Sequence, residues 1–358
     1  MAKKICILAL ITILFSLSSP WIDPVDASLP NGNRLKDPYA ILRNSLPIDQ
    51  KELRELQNKL EDTSEDLRGS RWSAISKATS RSQFLVSNKK NQILDSIPEE
   101  NKEIAANLLS NLKEELDELG QIANEKDKVS FIDIRRQSLK TIDDIESLLI
   151  TRDFPYKIPT EYDNLPRLLG RANVEIKTSK GNMNAIIDGY NAPLTAGAFI
   201  DLSMKGFYDD LPINRAEEFF ILQTGDPKGE TIGYIDPDNN ELRRVPLEIR
   251  ASSLEDTLYG ETFEDVGLYT ETPVLPFATL GTLGWAHSDT DLNDGSSQFF
   301  FFLYEAELNP AGRNLIDGRN AAFGYVIEGS EILNKLGVDD KIISITVLNG
   351  SENLKLKA

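Results

Sequence analysis

The chain has 358 residues, 27% of them charged and 40% hydrophobic, with a formal net charge of −18 at neutral pH. Residues 28–170 carry 25 acidic and 22 basic side chains and residues 171–358 carry 30 and 15, so nearly all the excess lies in the second half. Such a field repels phosphate backbones, which excludes nucleic acid as a partner, and the length suits two domains with packed cores rather than one.

The N-terminus, Met-Ala-Lys-Lys followed by the apolar run Ile5 to Leu17, reads as a signal peptide over residues 1–27. The run is too short to span a bilayer comfortably, and Val25 and Ala27 supply the small residues expected before cleavage at Ser28. The one cysteine, Cys6, lies within it, so the mature chain is expected to have no thiol, no disulfide and no transmembrane segment.

Residues 28–150 are read as a helical domain, since from about Leu46 to Ile150 the composition is helical and glycine appears only at Gly69 and Gly120. Leu53, Leu56, Leu60 and Leu67 recur at helical spacing; the run is too short for a zipper dimer, which favours a bundle core. Gly69 and Ser70 read as a helix stop and a new N-cap, and Ser96 with Glu99 as a capping box. A long helix then presents Ile104, Leu108, Leu112, Leu116 and Leu119, and a last one Ile142, Ile145 and Leu148; together these predict a four-helix bundle.

Residues 151–170, with Pro155, Pro159 and Pro166, read as a semi-rigid linker. The period then changes to that of strands, in a pair joined around Gly181 and in the later runs EEFFILQ and SQFFFFLYE. Helix-like stretches lie at Ala196 to Met204 and near Ser330 to Leu336, so residues 171–358 are expected to form a β-barrel with a few helices. A bundle held close by the linker would set Arg135, Arg136 and Lys140 against acidic loops of the barrel and cover part of any groove there.

Three separated segments carry the chemical signal: R-A-E-E-F-F-I-L-Q-T-G-D from Arg215 to Asp226, S-S-Q-F-F from Ser296 to Phe300, and D-G-R-N-A-A-F-G from Asp317 to Gly324. In order and spacing the second half resembles the cyclophilin family of peptidyl-prolyl isomerases. The resemblance implies that Arg215 is the catalytic arginine, with Phe220 and Gln223 beside it. It implies that Ile221, Ala286, His287, Gln298, Phe300, Leu315, Ile316 and Asn320 bind the substrate. Leu315 stands where the family usually has tryptophan and Asn320 where it has histidine, which removes an indole donor and an aromatic wall from the pocket rim.

The chemistry such a site performs needs no cofactor and no metal. Peptide rotation is opposed by a barrier of about 18–20 kcal/mol that arises from amide resonance. An apolar pocket for the proline ring, donors for the flanking backbone and a cation near the imide nitrogen suffice to favour the twisted state. His287, the only histidine, lacks the cysteine or imidazole partners that a metal site would need.

Signal segment, helical domain and divergent cyclophilin domain, in that order, are similar to the thylakoid-lumen multidomain cyclophilins, whose helical part resembles the Q-type extrinsic subunit of photosystem II. That resemblance implies export to a thylakoid lumen or periplasm, proline-containing polypeptides as substrates, lumenal loops of photosystem II subunits as partners, and a role in photosystem II assembly. Two readings compete: an isomerase, favoured by Arg215 and Gln223, and a weak or inactive binding chaperone, favoured by Leu315, Asn320 and the appended bundle.

Overall fold

The computed structural model describes residues 37–150, 154–230, 232–237, 239–304 and 314–357; the expected signal peptide and Cys6 lie outside these. Helix α1, Pro38–Asn44, opens with Asp37 accepting from the Tyr39 amide and proline in its first turn. Then come α2 Lys51–Arg68, α3 Trp72–Asn88, the short α4 Lys90–Asp95, α5 Lys102–Glu125 and α6 Lys128–Ser147. Leu53, Leu56 and Leu60 are wholly buried with Leu112, Leu116, Leu119, Ile142 and Ile145 in one core. Burial contributes about 2 kcal/mol for each such side chain.

Several local readings are corrected. Ser70 is not an N-cap: it takes the left-handed conformation at φ 52° just after the glycine, and α3 starts behind Arg71 without a side-chain cap. Ser96 donates back to the Ile93 carbonyl, and a 3-10 turn at Glu99–Asn101 precedes α5, so no capping box forms. Along α5 the inward set is Ala105, Leu109, Leu112, Leu116 and Leu119, while Ile104 is exposed. The stripe therefore starts one position later than the leucine pattern suggested.

The second half is built on eight antiparallel strands: β1 Arg171–Thr178, β2 Gly181–Asp188, β3 Ile213–Glu217, β4 Ile221–Thr224, β5 Thr282–Trp285, β6 Phe299–Phe302, β7 Ala322–Glu328 and β8 Ile342–Asn349. Their spatial order is β8-β1-β2-β7-β5-β6-β4-β3, and the edges meet where Ile213 donates to Asp340 and Ile342 to Leu211, which closes the barrel. Alternation sorts the side chains. Phe299 and Phe301 point into the barrel core with Leu222, Leu283, Trp285 and Phe323, whereas Phe300 and Phe302 join a separate apolar cluster with Ile221, Phe277, Ala322 and Tyr325.

Helix α7, Pro193–Met204, plugs the barrel, and its first amides, those of Leu194 and Thr195, donate to the buried Glu248 carboxylate at 3.2 and 2.6 Å. Glu248 belongs to the R-R-V-P-L-E-I stretch, Arg243 to Ile249, in which Val245, Leu247 and Ile249 are core residues and Arg243 forms a buried ion pair with Asp201 at 2.6 Å.

Residues 154–168 are fastened to the barrel. Ile158 and Tyr162 pack on its core, the Arg250 guanidinium lies 3.6 Å from the Tyr156 ring centroid, and Arg167–Leu168 pairs with Leu354–Lys355. Arg135 does not reach the acidic loops, since it donates to Leu60, Glu61 and Ser64 inside the bundle; Arg136 pairs with Asp133 of its own helix. Helix α1 and Ser45 touch both halves, since Leu42 and Ser45 bond to Arg171 and Asn191 of the barrel while Arg43 bonds to Glu61 of the bundle. Among the described residues no helix is long and apolar enough to cross a membrane.

Candidate functional site

The three motifs converge on the outer face of the strands β3, β4, β5 and β6. Arg215 lies opposite Gln223 in the β3–β4 pair, and Gln223 lies opposite Phe300 in the β4–β6 pair, so residues distant in sequence become ladder neighbours. The β3–β4 connection turns at Phe219, which takes φ 61°, a costly conformation for an aromatic residue. That turn leaves Phe219 exposed and directs Phe220 onto the outer cluster, edge-on to Phe302 at 6.3 Å.

Arg215 is exposed, and its guanidinium is held by Glu217 two residues along the same strand at 2.5 Å. Gln223 donates to the Gln298 side-chain oxygen at 2.7 Å and Gln298 donates to Asp226 at 3.1 Å, a relay of two amides ending on a carboxylate. The Ala286 amide donates to the Gln298 carbonyl at 3.0 Å, which places Ala286 at the rim of the same floor.

His287 and Asn320 meet. The ring sits between two carbonyls, with Nδ1 2.8 Å from that of Ser288 and Nε2 3.1 Å from that of Arg319, and Nε2 is also 3.3 Å from the Asn320 side-chain amide. The pair ties the segment after β5 to the 314–320 loop. Among the described residues no group of three or more His, Cys, Asp or Glu could hold a metal ion. On the same loop Ile316 is half-buried against the outer cluster, whereas Leu315 is 74% exposed and stands away from it.

The pocket floor is more enclosed than the motifs suggest. Phe300 is 5% exposed and Ile221 4%, and Phe277 stacks on Phe300 at 5.7 Å with 14° between the rings. Phe277 is fixed from two sides: its amide donates to Asp317 at 2.8 Å, and the preceding Pro276 carbonyl accepts from the buried Tyr325 hydroxyl at 2.9 Å. Asp317 also accepts from the Asn314 amide at 3.1 Å, so one buried carboxylate binds the backing loop to the rim loop. Gly284 completes the arrangement. A Cβ there would lie 2.2 Å from the Phe300 ring, so only glycine on β5 lets that ring lie flat.

Sequence reasoning missed Phe277, Gly284 and Tyr325. Asp317 was legible as part of the D-G-R-N segment, although its role was not; Phe277 stands in no motif.

Comparison with known proteins agrees with this architecture. The family described as cyclophilin type peptidyl-prolyl cis-trans isomerase/CLD matches residues 173–346, and the CYP38-like, PsbQ-like domain family matches residues 37–150. The chain is 43% identical to a putative thylakoid lumen peptidyl-prolyl cis-trans isomerase of Synechocystis over 98% of its own length and 94% of that protein. It is 37% identical to the chloroplastic peptidyl-prolyl cis-trans isomerase CYP38 of Arabidopsis thaliana over 95% of its own length and 79% of that protein. A crystal structure of a Cryptosporidium parvum cyclophilin with the dipeptide Ala-Pro is 22% identical and covers 49% of this chain and 99% of that one, with a TM-score of 0.36.

Proposed function

We propose, for a chain that belongs to the cyclophilin-type peptidyl-prolyl cis-trans isomerases, that it is exported to a thylakoid lumen and turns X–Pro bonds in lumenal loops of photosystem II subunits during their assembly. The observation that carries the reading of the site is the ladder adjacency of Arg215, Gln223 and Phe300, a cation and an amide beside an apolar floor. A proline ring against Phe300, Ile221 and Phe220 leaves the imide bond near β3. As the bond twists, resonance is lost and the nitrogen regains a lone pair, to which the Arg215 guanidinium donates. Gln223, oriented by Gln298, holds the flanking carbonyl. No covalent bond forms and no proton changes owner.

The test is exchange spectroscopy on an Ala-Pro peptide with the mature full-length protein. Catalysed cis–trans exchange supports the isomerase, and peptide binding without faster exchange supports the chaperone reading. That second reading has its own observation in Leu315, which leaves the rim without an indole donor. Cyclosporin-type ligands are expected to bind weakly, and Leu315→Trp to tighten them about tenfold, as one regained hydrogen bond would. Equal affinity of parent and variant by calorimetry would show that the rim position does not matter.

A further inference from the structure

Helix α1 belongs by sequence to the helical half, yet its buried apolar side chains do not enter the bundle core. Ile41 and Leu42, 1% and 3% exposed, lie in the outer-face cluster of the barrel with Ile221, Phe277, Phe300 and Tyr325. The barrel carries a built receptor for this segment. Arg171 donates to the Leu42 carbonyl and to the Ser45 hydroxyl, at 2.5 and 2.9 Å. Asn191 donates to the Ser45 carbonyl at 3.0 Å, and the Ser45 hydroxyl also lies 3.2 Å from the wholly buried Asp188. Two of these bonds read backbone, so they fix the position of the segment whatever its side chains.

From the other side the bundle grips the same segment. Arg54 donates to the carbonyls of Arg43 and Leu46, both at 2.7 Å, while Arg43 and Asn44 donate to Glu61, both at 3.1 Å. The strap thus lies between two sets of anchors, with its apolar side on the cluster that floors the candidate pocket. Tyr325 and Phe277 link them: Tyr325 is wholly buried in that cluster and its hydroxyl holds the loop that seats Phe277 against Phe300.

We infer that Ile41 and Leu42 are positioning residues for the proline pocket, so that the catalytic unit of this chain includes residues 37–46, packed on the same outer-face cluster as the floor. This rests on the proposed function for its kinetic consequence, though the packing claim stands without it. Removing these two side chains from the cluster that holds Tyr325, Phe277 and Phe300 lets Phe277 tilt and Phe300 follow, which loosens the surface that receives the proline ring without touching Arg215.

The experiment uses the mature full-length chain with three variants: Ile41→Ala/Leu42→Ala, the conservative Ile41→Val/Leu42→Met, and Leu56→Ala in the bundle core as a control for lost stability. Methyl resonances of 13C-labelled isoleucine, assigned for Ile221 and Ile316, report the floor, and exchange spectroscopy on an Ala-Pro peptide reports function, all well below the melting temperature. The double alanine variant is expected to shift both methyls and to raise KM about tenfold with kcat within about twofold, because the floor holds the ring equally in ground and twisted states. The conservative variant should restore both readouts, and Leu56→Ala should leave both as in the parent. Unmoved methyls would overturn the inference, as would a bundle-core variant that moved them equally. A parent protein that bound and exchanged no proline peptide would count against the proposed function, and the methyl shifts alone would then decide the role of the strap.

Discussion

Arg215→Ala lowers cis–trans exchange about a hundredfold, the loss that follows removal of a single donor to a transition state. The fold should survive, because Arg215 is exposed on the edge of the sheet and its partner Glu217 is exposed as well. Such pairs contribute about 1 kcal/mol or less. The loss should fall on kcat with KM nearly unchanged, since the imide nitrogen becomes an acceptor only in the twisted state. Arg215→Lys should lie between, keeping a cation but losing the planar fork that can hold Glu217 and the substrate together. Glu217→Gln should raise the rate a few-fold, because it frees the guanidinium that the carboxylate holds at 2.5 Å. Exchange spectroscopy with a thermal melt of each variant separates these outcomes, and an Arg215→Ala protein with the parental rate would remove Arg215 from the mechanism.

How far the sequence led depends on the kind of signal each residue carries. Leu53, Leu56 and Leu60 were legible as core because helical periodicity and burial are the same fact seen twice. The fold of the second half followed from motif register, which brought Arg215, Gln223 and Phe300 to one face. Boundaries were less legible. Ser70 and Ser96 are good capping residues by type, but tight turns between packed helices used them differently, and side-chain chemistry alone cannot report the backbone angle a turn demands. Phe277 and Gly284 were invisible for another reason: each matters only because a ring from a distant strand lies against it. Helix α1 is the extreme case, since seven residues have no periodicity long enough to say which of two cores they join.

The protein is expected to be more stable at pH 6 than at pH 8. Two buried carboxyls carry this expectation. Burial raises Glu146 to about 7; the Arg54 guanidinium 3.5 Å away offsets part of that, while neighbouring Asp143 adds to it. Burial likewise raises Glu248 to about 7 despite the amides of Leu194 and Thr195 that favour its charged form. In the unfolded chain both return to an ordinary carboxyl range near 4.5. Between those values the native state binds more protons than the unfolded one, so stability falls as pH rises through 7 and is regained below it. For a group titrating near 7 the change between pH 6 and pH 8 is about 1.4 kcal/mol, hence nearly 3 kcal/mol for the two if they act independently. Glu146→Gln should remove half of the slope at little cost, because one Glu146 oxygen is buried without a partner and an amide nitrogen there carries no charge to desolvate. Glu248→Gln should remove the other half but lower stability at pH 6, since the Leu194 and Thr195 amides donate to different Glu248 oxygens and one of these becomes an NH2 donor facing an N–H. Urea unfolding of the parent and both variants at the two pH values measures this directly, and a parent equally stable at pH 6 and pH 8 would mean that these carboxyls titrate as though exposed.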